Sequence, residues 1–266
     1  MHLFSLGVFV LVHWLLFFSL PSYPSNPYAL IQHLLLINNI GLGGDELTFN
    51  EPSWSISVEF FVNLLFFIFL GFDRLLLVLG ALGMLGLAFH FGHLDLHYQN
   101  LFGYLNAGLI RCVFSFAIGV GVYRWFLRRD GLPVRFMSWT WAECLVLAAV
   151  AILLMGRQDK LSLLDFAAPG VFAMVVFVFA HSGGWLSRQS FRLARLGEIS
   201  YSVYLNQFIV LMVVRECFVN MGWLPMFVIY ILALMVVSNM TYRWVEQPAR
   251  NYLRNKFDPV KSALRQ

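Results

Sequence analysis

Pro52-Ser53-Trp54-Ser55-Ile56-Ser57-Val58-Glu59 leads directly into the apolar run Phe60-Phe61-Val62-Asn63-Leu64-Leu65-Phe66-Phe67-Ile68-Phe69-Leu70. A helix of this length, rising about 1.5 Å per residue, crosses much of a bilayer. It would place Ser55, Glu59 and Asn63 four residues apart on one face, a polar stripe on an apolar rod. A carboxylate at membrane depth is costly unless it faces a cavity or a partner, which makes Glu59 a functional candidate. The competing reading of the stripe is packing, with Glu59 bonded to a neighbouring span.

The composition of the 266 residues places the run in lipid. Apolar residues make up 60% and aromatic residues 17%, while charged residues are only 12%, about half the usual share for a soluble domain. A soluble chain of this length has too little interior for so much apolar surface. The expected fold is therefore all-α, a polytopic transmembrane helical bundle. The formal net charge of +4 does not point to nucleic acid, because the basic residues follow a membrane pattern.

About eight spans are expected, at 3–20, 54–71, 75–91, 105–123, 141–155, 163–181, 199–217 and 224–242. The third and fifth are the short ones. The loop between the first two is rich in Pro, Asn, Gly and Ser and contains no Lys or Arg. With a cytoplasmic N-terminus, one side collects Arg74, then Arg124, Arg128, Arg129 and Arg135, then Arg188, Arg192 and Arg195. The tail adds Arg243, Arg250, Arg254, Lys256, Lys261 and Arg265. These are fourteen of the eighteen basic residues; only Arg157 and Lys160 fall outside, and Arg111 and Arg215 lie within spans. This asymmetry predicts an even number of spans with both termini cytoplasmic.

Residues 1–245 read as one membrane domain and 246–266 as a basic tail at the cytoplasmic interface. The first apolar stretch is too long for a signal-peptide core and lacks a basic front and a small-residue cleavage site. Cys112, Cys144 and Cys217 all fall within spans, so no disulfide framework is expected. His90, His93 and His97 with Asp95 have spacings that a zinc ion tolerates. A polar loop between spans explains them more simply, and no metal is expected. His13 reads as a packing histidine in an apolar helix.

Four segments carry a family resemblance. Residues 52–59 resemble the P-S-W-S-L-S-V-E signature of the membrane acyltransferase-3 family. Arg111 to Tyr123, with Phe116, Gly119 and Gly121, is similar to that family's R-x4-F-x2-G span. Leu196-Gly197-Glu198-Ile199-Ser200-Tyr201-Ser202-Val203-Tyr204-Leu205 resembles its L-G-x-I-S-Y-S-x-Y-L segment. Tyr242-Arg243-Trp244-Val245-Glu246-Gln247-Pro248 resembles its Y-R-x-x-E-x-P ending. The four occur in the family's order and span nearly the whole chain.

The resemblance implies an integral membrane O-acyltransferase, of the bacterial inner membrane. It would move an acyl group, usually acetyl, from acyl-CoA to a hydroxyl of a carbohydrate or envelope glycan. Acyl-CoA is then a substrate, no cofactor stays bound, and the partners are membrane lipid, donor and carbohydrate acceptor. Oligomeric state, acceptor and acyl chain stay open. Acyl transfer needs a base for the hydroxyl proton, donors for the oxyanion and cations for CoA phosphates.

The family's base, a histidine about ten residues after an arginine, and its R-x-x-R pair have no counterpart here. Met1-His2-Leu3-Phe4 resembles the stretch just after that pair, so the expected base lies upstream of this chain. Asn206-Gln207 stands where the family often has Trp-His. The pocket candidates are Ser55, Glu59, Asn63, Arg111, Tyr201, Tyr204 and Asn206. Glu59 and Arg111 fall at similar depth and are expected to form an ion pair. Trp54 fits interfacial anchoring at least as well as substrate stacking. Glu246 and Pro248 are expected to end the last span. The alternatives are a truncated inactive remnant of such an enzyme, with little activity of its own, and a membrane transporter. The transporter reading lacks internal repeats or paired broken spans.

Overall fold

The computed structural model describes residues 1–18, 27–41, 49–69, 71–94, 99–128, 136–155, 163–181 and 183–257. The chain is an all-α helical bundle. Its α-helices are α1 (His2–Phe17), α2 (Pro27–Leu34), α3 (Ser53–Ile68), α4 (Asp73–His90), α5 (Ala107–Arg128) and α6 (Phe136–Met155). They continue with α7 (Ala168–Ala180), α8 (Trp185–Ser190), α9 (Ala194–Cys217), α10 (Trp223–Thr241) and α11 (Gln247–Phe257). A two-stranded hairpin, β1 (Asn100–Leu101) and β2 (Leu105–Asn106), precedes α5.

Each expected span is helical over most of its described residues. Four helical stretches are long and apolar enough to cross a bilayer: Asp73–His90, Ala107–Arg128, Leu196–Cys217 and Trp223–Phe257. Shorter apolar helices occupy the other four places, at His2–Phe17, Ser53–Ile68, Trp139–Met155 and Leu164–Ala180. The third span is therefore long enough, against expectation, while the first, second and sixth join the fifth as short ones. The sixth begins with a 3-10 turn over Leu163–Ala167, tighter than the α7 helix that follows.

The chain folds as two compact units. One comprises residues 35–46 and 54–193. In it α3 buries Val58, Val62 and Phe66, spaced four apart, with Leu76 of α4 and Ala117 of α5. The polar stripe is one residue out of phase with this buried row, about 100° around the helix at 3.6 residues per turn. Glu59 and Asn63 are consequently exposed, and the Asn63 amide donates to the Glu59 carbonyl at 2.9 Å. Ser57 is fully buried and donates to the Leu36 carbonyl at 2.6 Å.

Helices α4 and α5 approach closely because α4 offers Gly80 and Gly83 to α5. A Cβ on Gly80 would stand 2.9 Å from the Phe114 Cα, and one on Gly83 would stand 2.6 Å from the Ile110 Cγ2. Small residues at such a crossing let backbones touch where lipid gives no hydrophobic drive between helices. Asn106 caps α5: its Oδ1 accepts the Leu109 N–H at 3.1 Å. An ion pair of 2.6 Å, from Arg124 of α5 to Asp73 at the start of α4, ties the other end of the pair.

The other unit comprises residues 1–34, 47–53 and 194–266. Its core pairs α9 with α10 through Val210, Val214 and Leu234, and α1 leans on α9 with the Phe9 and Phe208 rings 6.0 Å apart. Pro248 does not break the helix that leaves the last span. Helix continues to Phe257, through a π-helical turn at Tyr242–Glu246. A proline has no N–H to give the ladder, and the π-turn just before it is where the α-helical ladder is already interrupted. No residue of α11 is buried.

Candidate functional site

In the unit of residues 35–46 and 54–193, a groove with a volume of about 490 Å³ runs between α5 and α7. Arg111, Ser115, Gly119 and Val122 line it from α5. Asp165, Pro169, Phe172 and Val176 line it from the α7 side, and Leu94 borders the mouth. Both sets recur at helical spacing, so the groove follows the two helix axes. Its polar groups gather where the helices begin; beyond Ser115 its wall is apolar. Arg111 is half-buried and donates Nη1–H to the Leu94 carbonyl at 2.6 Å. At the far end Val122 packs against Phe177 and Val178. Trp125 stacks on Phe177 there, with centroids 4.1 Å apart and planes 7° apart.

The expected ion pair between Glu59 and Arg111 is not formed. Arg111 bends toward the mouth to reach Leu94, while Glu59 lies on the outward face of α3. Both charges remain within electrostatic reach of the Cys112 thiol. Equal depth along two helices does not decide rotation about their axes, and rotation is what separates the two groups.

The remaining sequence candidates divide between the units. Ser55 is half-buried near the start of α3. Tyr201, Tyr204 and Asn206 lie on α9, the tyrosines half-buried and Asn206 buried. Asn206 donates to Thr241 Oγ1 at 3.2 Å, and Ser202, one turn earlier, donates to Glu246 Oε2 at 2.6 Å. Glu246 also accepts from Arg250 at 2.6 Å. The antiparallel helices thus match a four-residue step on α9 with a five-residue step from Thr241 to Glu246. The π-turn absorbs the extra residue and keeps Glu246 facing α9. The serine of the L-G-x-I-S-Y-S segment and the glutamate of the Y-R-x-x-E-x-P ending are therefore one contact.

A second polar cluster joins α1 and α9 to residues 27–34 and 49–53. His2 Nε2–H donates to the His33 carbonyl at 2.7 Å, and Ser53 Oγ lies 3.2 Å from His33 Nδ1. Asn50 donates to the Leu205 carbonyl at 3.0 Å. His33 is buried, and burial with the neighbouring His2 pulls its pKa down to about 4. Its imidazole is accordingly neutral near pH 7.

Three residues outside the expected set are prominent. Asp165 and Ser115 join Arg111 at the groove; the signal in the sequence is the recurrence of Arg111, Ser115 and Gly119 every four residues. Glu143 is fully buried in α6 and accepts the backbone N–H groups of Leu186 and Ser187 at 2.9 and 3.2 Å. A lone carboxylate inside an apolar helix is the same signal that singles out Glu59. Of the histidine cluster, residues 95–98 lie outside the described residues, and His90 packs against the Phe91 and Phe102 rings.

Residues 1–243 match the acyltransferase-3 family model, described as an acyltransferase domain. The chain belongs to that family. No curated protein and no solved structure matches it. Acyltransferase-3 membership covers both units, from α1 into the π-turn at the end of α10. It makes acyl transfer the class of chemistry and, with the apolar helices, makes this an integral membrane protein.

Proposed function

We propose that this acyltransferase-3 protein transfers an acetyl group from acetyl-CoA to a hydroxyl of an envelope carbohydrate, in the bacterial inner membrane with both termini cytoplasmic. The observation that carries the reading is the family match across residues 1–243. In the reaction the acceptor oxygen attacks the thioester carbonyl, its proton passes to a base, and the CoA thiolate leaves. Arg111, Ser115 and Asp165 supply donors and an acceptor at a single mouth, a set suited to sugar hydroxyls. The arginine distribution supports the orientation, which places that mouth on the extracytoplasmic side.

Deleting the chromosomal locus and restoring it tests the function. Hydroxylamine-labile acetyl esters on envelope carbohydrate should fall on deletion and return on complementation. Unchanged ester content in the deletion strain would refute the reading. Single cysteines at positions 25 and 262 in a cysteine-free form test the orientation. An impermeant thiol reagent applied to intact cells should label position 25 alone, and labelling of position 262 alone would invert the topology.

A further inference from the structure

We propose that the α5–α7 groove is the seat of a glycolipid acceptor, its sugar headgroup at Arg111 and Asp165 and one hydrocarbon chain lying along the groove. The inference rests on the carbohydrate-acyltransferase reading and names the acceptor's class. Three observations carry it.

The first is length. From Arg111 to Val122 the groove follows eleven residues of α5, about 16 Å at 1.5 Å per residue. That is about half the 30 Å hydrocarbon core, the depth of one leaflet. The Trp125–Phe177 stack lies one turn beyond Val122. A chain anchored at the mouth would therefore run the depth of its own leaflet, past Phe172, before meeting the Trp125–Phe177 stack.

The second is the polarity of the two ends. A guanidinium, a hydroxyl and a carboxylate line the mouth. The carboxylate of Asp165 would repel a phosphate placed against Arg111. A sugar uses all three groups, since each hydroxyl both donates and accepts. Below Ser115 the described lining residues offer no side-chain polar group to a headgroup, only apolar surface to a chain.

The third is space. A Cβ on Gly119 would meet nothing within 4 Å, so the middle of the groove is open in front of that backbone. Val176, on the opposite wall, is 61% exposed. A bulky side chain at either position would fill the groove without striking backbone. Volume of this size suits a bound small molecule.

The test is photolabelling of the full chain in phospholipid nanodiscs with a glucosyl diacylglycerol bearing a diazirine midway along one acyl chain. Labelled peptides should map to α5 and α7. A tenfold excess of unlabelled glucosyl diacylglycerol should compete, and the same excess of phosphatidylglycerol should not. Gly119→Trp and Val176→Trp should each lower labelling at least fivefold, whereas Gly119→Ala should keep it. Labelling elsewhere, equal competition by phosphatidylglycerol, or labelling unchanged in both tryptophan variants would overturn the proposal. Because binding is read without turnover, the two readings fail separately. Groove labelling together with unchanged ester content in the deletion strain leaves the lipid site standing and removes the acyltransferase reading. Ester loss without groove labelling does the reverse.

Discussion

Replacing Glu143 should destabilise the unit of residues 35–46 and 54–193 through the start of α8, far from any proposed chemistry. Its carboxylate is fully buried and accepts two backbone N–H groups, of Leu186 and Ser187. Those donors belong to the first turn of a short helix and have no partner within it. Hydrogen bonds to a charged group contribute about 1.5–3 kcal/mol each, and an orphaned buried donor costs about 1–3 kcal/mol. Ser187 is buried, so its N–H has little access to water once the carboxylate is gone. Glu143→Ala orphans both donors and should therefore lower stability by about 2–6 kcal/mol, at about 1–3 kcal/mol for each. Glu143→Gln keeps one acceptor oxygen and should lose about half as much.

Gly184 makes the reasoning specific. A Cβ there would collide with the Glu143 carboxylate atoms, so Gly184→Ala should be strongly destabilising by itself. In the Glu143→Ala background the obstructing carboxylate is absent, and the same substitution should cost about 1 kcal/mol or less, giving a coupling of at least about 1 kcal/mol. Denaturant-induced unfolding in detergent micelles, followed by tryptophan fluorescence, measures all four corners of the cycle. Losses that add across the two sites would refute the contact. A Glu143→Ala protein as stable as the parent would refute its energetic importance.

Three further outcomes follow from other contacts. His33 titrates near 4 in the fold against 6.5 in an unfolded chain, so the unfolded state takes up the proton first as pH falls. Stability should be full above pH 6.5 and decline by about 3 kcal/mol between pH 6.5 and 4; His33→Gln should flatten that decline in a Tm-against-pH series. Gly80→Ala should lower Tm, because overpacking against the Phe114 backbone costs about 1–3 kcal/mol and the helix-propensity gain is about 1 kcal/mol. Gly119→Ala, facing open space, should raise Tm, and a shared sign for the two would contradict the α4–α5 approach. Ser202→Ala should destabilise the 194–266 segment by about 1.5–3 kcal/mol through Glu246. In a Glu246→Gln background, where the charge is already gone, the same change should cost about 1 kcal/mol or less.

Much of the architecture was legible in the chain because bilayer thickness imposes a long-range rule on a local pattern. Eight apolar stretches separated by polar segments imply eight helices wherever they sit, and all eight are helical over most of their described residues. The family was legible for a different reason: its four short motifs are contiguous residues. Their order along the chain required no knowledge of contacts.

What each polar residue faces was not legible, and the candidates show why. Ser55, Glu59 and Asn63 form the stripe that helical periodicity requires, yet the buried row of α3 is its neighbour, Val58, Val62 and Phe66. Periodicity determines which residues share a face and is silent on which face meets a partner. Glu143 and Glu59 looked alike as lone carboxylates in apolar helices; packing buried the first under α8 and left the second exposed. Arg111, singled out for its depth beside Glu59, lines a groove and donates to the Leu94 carbonyl instead of pairing with Glu59.

The amino-acid sequence by itself therefore determined the helices, their membrane setting and the family, since each depends on residues adjacent in the chain. Tertiary structure alone decided the α5–α7 groove, the Glu143 cap and the join of Ser202 to Glu246. Each of these depends on the rotation and register of one helix against another. That is settled by side-chain volume at the crossing, as with Gly80 against Phe114, and by a single π-turn that shifts Glu246 one residue into line.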